Sequence, residues 1–155
     1  MELNRRLKRC KLPQKYHGLT KGKKLPTTVL IAEDEFIIRL TIAEFLREEG
    51  YDVIETANAD EALDVFRAGI PVHLLFTDVR MPGTMDGCAL AQKVRAEWPQ
   101  TPVILTSAFS ESLLSARSVS QDFVVPKPYR PQAVLATIKA VIGAAGPKPE
   151  GSFTA

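Results

Sequence analysis

Five residues of this 155-residue chain have side chains suited to moving a phosphoryl group, and each follows an apolar run. Leu30-Ile31-Ala32 leads into Glu33-Asp34-Glu35, and Val72-His73-Leu74-Leu75-Phe76-Thr77 ends at Asp78. Val103-Ile104-Leu105 leads into Thr106-Ser107, and Phe123-Val124-Val125-Pro126 into Lys127. An aspartate carboxylate can act as a nucleophile toward phosphorus, forming an acyl phosphate. Crowded carboxylates repel one another unless a cation intervenes. Glu33, Asp34 and Asp78 offer few hard oxygens, a set that suits Mg²⁺, which keeps several of its waters. The Lys127 ammonium can neutralise added phosphoryl charge, and the Thr106 hydroxyl can donate a hydrogen bond. Phosphoryl transfer asks mostly this of a protein: positioning and electrostatics.

The elements that must position these groups are legible in the periodicity. Residues 29–32 form a continuous apolar run, the pattern of a strand covered on both faces. Phe36, Leu40, Ala43 and Leu46 then recur at three- and four-residue spacing, predicting a helix over 35–49 with Gly50 just past its end. Residues 51–55 read as a short strand. Asn58-Ala59-Asp60-Glu61 has the form of a capping box and opens a helix that Gly69 closes before Pro71. Residues 72–77 form the third strand. Asp86 is placed to cap a helix over 87–97 that stops at Trp98-Pro99. Residues 102–105 form the fourth strand, a weaker helical pattern covers about 110–118, and 123–125 form the fifth strand. Pro131 opens a last helix to about 142. Five strands alternating with five helices imply right-handed crossovers and a parallel sheet with helices on both faces. All strand carboxyl ends then share one edge, where open α/β sheets place their sites. Glu33, Asp34, Asp78, Thr106 and Lys127 are expected to meet there, although 94 residues separate the first from the last.

Composition agrees with one domain of ordinary size: hydrophobic residues make up 45% of the chain and charged residues 25%. No apolar stretch is long enough to span a bilayer, so membrane insertion is not expected. The basic N-terminus lacks the apolar core of a secretory signal. Cys10 and Cys88 suggest neither a disulfide framework nor a metal cluster, and a reducing cytoplasm is the expected setting. The net charge of +2 hides an asymmetry. Residues 1–27 carry nine Lys/Arg against Glu2 alone, whereas residues 28–155 carry 11 Lys/Arg against 17 Asp/Glu. The expected organisation is a basic, disordered extension over 1–27, one domain over 28–145 and a loose tail over 146–155. Tyr16 is the extension's only aromatic and no helix-turn-helix pattern is present, so nucleic-acid binding is not expected of it. An acidic partner surface, solubility or upstream translation are its other readings.

Four segments carry a family resemblance. Leu30-Ile31-Ala32-Glu33-Asp34-Glu35, Phe76-Thr77-Asp78-Val79-Arg80-Met81-Pro82, Leu105-Thr106-Ser107-Ala108 and Pro126-Lys127-Pro128-Tyr129 resemble the signatures of the receiver domain of two-component response regulators, in order and spacing, over about residues 28–143. The resemblance implies a flavodoxin-like, doubly wound sheet of order 2-1-3-4-5 with Mg²⁺ at the topological switch point. It implies that Asp78 accepts phosphate from the phosphohistidine of a sensor histidine kinase or histidine phosphotransfer protein. Asp34 and Asp78 would bind Mg²⁺ directly, Glu33 through water, and Arg80 through its backbone carbonyl. Thr106 and Lys127 would contact the phosphoryl group, and the Lys127-Pro128 bond would be cis. Nothing resembling an output domain follows residue 143, so the chain is similar to single-domain regulators that dock to a partner protein or relay phosphate. The output partner is not identified, and homodimer formation is left open. No enzyme activity is expected beyond self-phosphorylation and self-dephosphorylation.

Departures from the family pattern are also visible. The loop 81–87 is one residue longer than usual, and Gly83 is expected to absorb the difference as a bulge. The aromatic switch position three residues before the lysine is Val124, while strand alternation points Phe123 to the opposite face. Phe109 or Tyr129 could substitute, although a packing role is the plainer expectation for each. Asp60, Glu61 and Asp64 read as a solvated helix face with a cap, His73 as a packed core histidine, Cys88 as a buried small residue and Arg80 as an exposed arginine. Two other functions fit the same residues. One is a pseudo-receiver that binds a partner without phosphorylation; the complete acidic, hydroxyl and lysine set argues against it. The other is a small aspartyl-phosphate phosphatase; those of the haloacid dehalogenase class place a second Asp where Arg80 stands.

Overall fold

The computed structural model describes residues 26–108 and 123–144. Residues 1–25, Phe109, the helix expected over 110–118 and the C-terminal tail lie outside them. The described elements are β1 (Thr28–Ala32), α1 (Phe36–Glu48), β2 (Asp52–Thr56), α2 (Ala59–Arg67), β3 (Leu74–Asp78), α3 (Gly87–Glu97), β4 (Val103–Ser107), β5 (Phe123–Pro126) and α4 (Pro131–Ala144). The strands are all parallel, in the order β2-β1-β3-β4-β5.

Why the central strands read as unbroken apolar runs is clear from the two cores. Leu30, Ala32, Leu75 and Leu105 face one side and pack on Ala62, Leu63 and Phe66 of α2 and Leu90, Ala91 and Val94 of α3. Val29, Ile31, Leu74, Phe76 and Ile104 face the other and pack on Ile42, Ala43 and Leu46 of α1 and Val134, Ile138 and Val141 of α4. Every residue of β1, β3 and β4 is buried, because adjacent side chains enter opposite cores. Both predicted caps form. Asn58 Oδ1 accepts from the Glu61 N–H at 2.8 Å while Glu61 Oε2 accepts from the Ala57 N–H at 2.9 Å. Asp86 Oδ1 accepts from the Ala89 N–H at 2.8 Å.

Two expectations need correction. His73 is exposed and precedes β3, which begins at Leu74 rather than at residue 72. Its backbone N–H donates to the Thr28 carbonyl at 2.9 Å, and its Nδ1 accepts from the Thr28 N–H at 3.0 Å. At the amino edge of the sheet it is exposed, and the ring satisfies the first donor of β1 instead of packing. Phe36 was expected on the buried face of its helix, yet it is 59% exposed and Ile37 is 70% exposed. The first turn of α1 overhangs the carboxyl edge of the sheet, beyond the strands that bury Ile42 and Leu46.

Candidate functional site

Parallel register brings the reactive groups to one edge. Asp78 ends β3 opposite Thr106 of β4, and the Val79 N–H donates to the Thr106 carbonyl at 2.9 Å. Ser107 pairs with Pro126 at the end of β5, and its carbonyl accepts from the Lys127 N–H at 2.9 Å. Glu33 and Asp34 follow β1, the strand at which the chain reverses its direction of winding. That strand is the switch point of a doubly wound sheet.

Glu33, Asp34 and Asp78 each present a carboxylate oxygen, all within 4.8 Å of one another. Lys127 Nζ donates to Glu33 Oε2 at 2.9 Å and to Asp78 Oδ2 at 3.0 Å. One ammonium thus serves two of three neighbouring carboxylates, leaving excess negative charge that favours a further cation. Glu33 is only 1% exposed. Burial holds its carboxyl above the ordinary value, outweighing the hydrogen bonds from Lys127 and from the Glu35 N–H. Burial would lower the Lys127 ammonium, but the hydrogen bonds and charges of Glu33 and Asp78 hold it above the ordinary lysine value. Lys127 is therefore charged at neutral pH. The Lys127-Pro128 bond is cis. Arg39 supports the loop after β1: its Nη1 donates to the Glu33 carbonyl at 2.6 Å, and its guanidinium lies 5.5 Å from the Phe36 ring centroid.

The loop after Asp78 is fixed by two glycines and a distant carboxylate. The exposed Arg80 donates its backbone N–H to Asp78 Oδ1 at 3.3 Å. Gly83, the residue expected to take up the extra length, has φ +119°, a conformation that L side chains rarely adopt. Gly87 opens α3 directly against the Asp78 backbone and donates its N–H to the Val79 carbonyl at 2.9 Å. Asp60, expected on a solvated helix face, also makes an exposed bond: its Oδ1 accepts from the Thr84 hydroxyl at 2.8 Å, tying the start of α2 to the loop. Its only local signal was a place in the first turn of α2, and a contact 24 residues away leaves no trace in periodicity.

Thr106 is fully buried, and its Oγ1 has no hydrogen-bond partner among the described residues. The Tyr129 hydroxyl is likewise buried without a well-formed hydrogen bond, although it lies near enough to Thr106 to interact with it. The Tyr129 ring packs edge-on against Phe76, with centroids 5.9 Å apart, so the expected packing role holds for the ring. Burial pushes its phenol up to about 12; the charges of Glu33 and Asp78 add to this, while Lys127 and the adjacent Thr106 hydroxyl oppose it. Val124 packs on the α2 and α3 side, and Phe123 is 43% exposed. Cys88 is half-buried, and burial pushes its thiol up, away from thiolate chemistry. Beside Lys127 and Tyr129 an open groove of about 540 Å³ runs along Ile37, Ile38 and Ile42 to Pro128. No helix among the described residues is long and apolar enough to cross a membrane.

The sequence model of the response regulator receiver domain matches residues 29–139. The chain is 34% identical over 116 residues to the probable transcriptional regulator ycf27 of Porphyra purpurea. That match covers 74% of this chain and 46% of the relative, so the chain spans about half the relative's length. Among solved structures it is similar to a response regulator receiver protein from Sinorhizobium medicae, with TM-score 0.72 and 22% identity over 77% of this chain and 97% of that one. It is also similar to the response regulator TrrA from Thermotoga maritima in complex with Mg²⁺-BeF, with TM-score 0.67 and 30% identity over 74% and 98%. Sheet order, the edge that gathers Asp78 with its neighbours, and the family match over residues 29–139 agree: this chain belongs to the receiver domains of two-component response regulators.

Proposed function

We propose that this chain takes a phosphoryl group onto Asp78 from a phosphohistidine of a histidine kinase or histidine phosphotransfer protein, and thereby switches its binding to a partner protein. The observation that carries the reading is the Lys127 ammonium bridging Asp78 and buried Glu33, beside Asp34 and the unpartnered Thr106 hydroxyl. A carboxylate oxygen of Asp78 attacks phosphorus; the P–N bond breaks and its electron pair returns to the imidazole. Lys127 offsets the added charge at the carboxylate, and Thr106 has a proton to give to a phosphoryl oxygen. The donor set fits Mg²⁺: Asp34 and Asp78 would hold it directly, Glu33 through water and Arg80 by its backbone carbonyl. When bound, the ion supplies positive charge against the phosphoryl oxygens. No separate substrate is turned over; self-dephosphorylation ends the signal.

The wild-type chain incubated with Mg²⁺ and a small phosphodonor should gain an acid-stable, base-labile phosphoryl group. Failure to gain it, with the fold intact, overturns the reading.

Metal affinity should depend on pH through Glu33. Its carboxyl titrates above the ordinary 4.5 because it is buried. Protons therefore compete with Mg²⁺ at higher pH than an ordinary glutamate would allow, and affinity falls as pH drops through that raised value. Calorimetric titration across the mildly acidic range should show this fall, and Glu33→Gln should bind weakly with a flatter profile. An affinity in the wild type that is flat over the same range would count against Glu33.

The exposed first turn of α1 borders the edge that holds Asp78, and a protein donor is expected to rest on it. Ile37→Glu places a charge on that rim while leaving Glu33, Asp34 and Asp78 untouched. Transfer from a histidine phosphotransfer protein should slow at least about tenfold, an amount equal to about 1.4 kcal/mol. Labelling by the small phosphodonor should not change, and equal slowing with both donors would show damage to the site rather than to docking.

A further inference from the structure

Thr106 Oγ1 and the Tyr129 hydroxyl are both buried, and neither makes a well-formed hydrogen bond to a described residue; the two lie near enough for Thr106 to lower the Tyr129 phenol. Buried polar groups are ordinarily paired, so two without a well-formed bond call for an explanation. A threonine hydroxyl has one proton and two lone pairs, and a tyrosine hydroxyl has one proton to donate. Once Thr106 gives its proton to an oxygen on Asp78, its own oxygen becomes a better acceptor, because hydrogen bonds in a chain polarise one another. Tyr129 is the adjacent buried donor. Its ring is held edge-on by Phe76 in the α1 and α4 core, and the same residue lines the groove with Ile37, Ile38 and Ile42. β5 supplies no such group: its residues are Phe123, Val124, Val125 and Pro126.

We propose that Tyr129 is a positioning residue that reads the state of Asp78: its hydroxyl donates to Thr106 Oγ1 when Thr106 donates to the phosphoryl group. Phosphoryl arrival thus orders a chain from Asp78 through Thr106 to Tyr129, and the Tyr129 ring carries the change into the groove beside α1. Output then leaves on the α1 and α4 side, by a residue after β5 rather than on it. This inference rests on the phosphoacceptor reading of Asp78.

The test uses the full chain labelled at tyrosine Cζ with ¹³C, observed by NMR before and after addition of Mg²⁺ and beryllofluoride as the phosphoryl stand-in. Tyr129→Phe assigns the resonance, and ¹⁹F signals report whether the adduct forms. The wild type should form the adduct and shift the Tyr129 Cζ resonance by more than its linewidth. Thr106→Val should abolish that shift, with Thr106→Ala as the second variant should the first not fold. Tyr129→Phe should still form the adduct but lose the accompanying shifts of the Ile37 and Ile38 methyl groups. An adduct with a stationary Tyr129 resonance overturns this inference alone, as does an equal shift without the Thr106 hydroxyl. No ¹⁹F adduct signal in the wild type overturns the reading of Asp78 and this inference with it.

Discussion

Asp78→Asn is expected to fold and to gain no acid-stable, base-labile phosphoryl group under conditions that label the wild type. The substitution keeps shape and one carbonyl oxygen, so the Arg80 N–H at 3.3 Å keeps an acceptor. Lys127 keeps its 2.9 Å bond to Glu33. The difference is chemical: an amide nitrogen shares its lone pair with the carbonyl and is a poor nucleophile toward phosphorus, whereas the carboxylate is a competent one. Loss should be complete at this site, because Glu33, only 1% exposed, is less open to a phosphodonor than Asp78. The measurement is denaturing electrophoresis of both chains after labelling, with acid and base treatment of each. Label that persists in Asp78→Asn would move the acceptor to another carboxylate and remove the proposed role of Asp78.

Gly87→Ala should destabilise the fold by at least about 3 kcal/mol, the upper end of the usual cost of overpacking. A Cβ there would lie 1.7 Å from the Asp78 carbonyl oxygen, 2.8 Å from its carbonyl carbon and 3.0 Å from Val79 Cα. These are backbone atoms, so no rotamer change relieves the clash. Only moving α3 away from β3 would do so. That movement breaks the bond from the Gly87 N–H to the Val79 carbonyl and withdraws Leu90, Ala91 and Val94 from the sheet. Gly143→Ala is the control. It sits near the end of α4 with nothing within 4 Å of an added Cβ, so it should be neutral or stabilise by up to about 1 kcal/mol. Urea unfolding of the three chains, compared at equal slope, checks both values. A Gly87→Ala midpoint close to that of the wild type would show that the close approach beneath Asp78 is not a structural requirement.

The parts of the fold that were legible are those set by neighbours in sequence. Strands β1, β3 and β4 announce themselves because each residue enters one core or the other, leaving no polar break. The caps at Asn58 and Asp86 are three-residue devices and form where the pattern places them. Gly83 was legible as the position in its loop free to adopt an unusual backbone conformation, and it takes φ +119°. Errors fall where distant register decides. Whether His73 packs or pairs with Thr28 depends on where β3 joins β1, and that is fixed by Leu74 meeting Val29. The exposed bond from Thr84 to Asp60 was likewise not legible, because it forms only once α2 is packed and Thr84 is brought across to it. Phe36 fits the helical spacing, but the helix outruns the sheet beneath it.

Sequence alone determined the alternation of strands and helices, the parallel sheet that follows from it, and which side chains end each strand. Those properties come from apolar period and local capping, both read within a few residues. Only the tertiary structure decided how those ends meet. Lys127 bridges Glu33 and Asp78, Gly87 lies against the Asp78 backbone, and the hydroxyls of Thr106 and Tyr129 are both buried. The reason is physical: charge pairing, backbone clearance and burial depend on separations of a few ångströms between residues tens of positions apart, and packing of both cores against one sheet sets those separations.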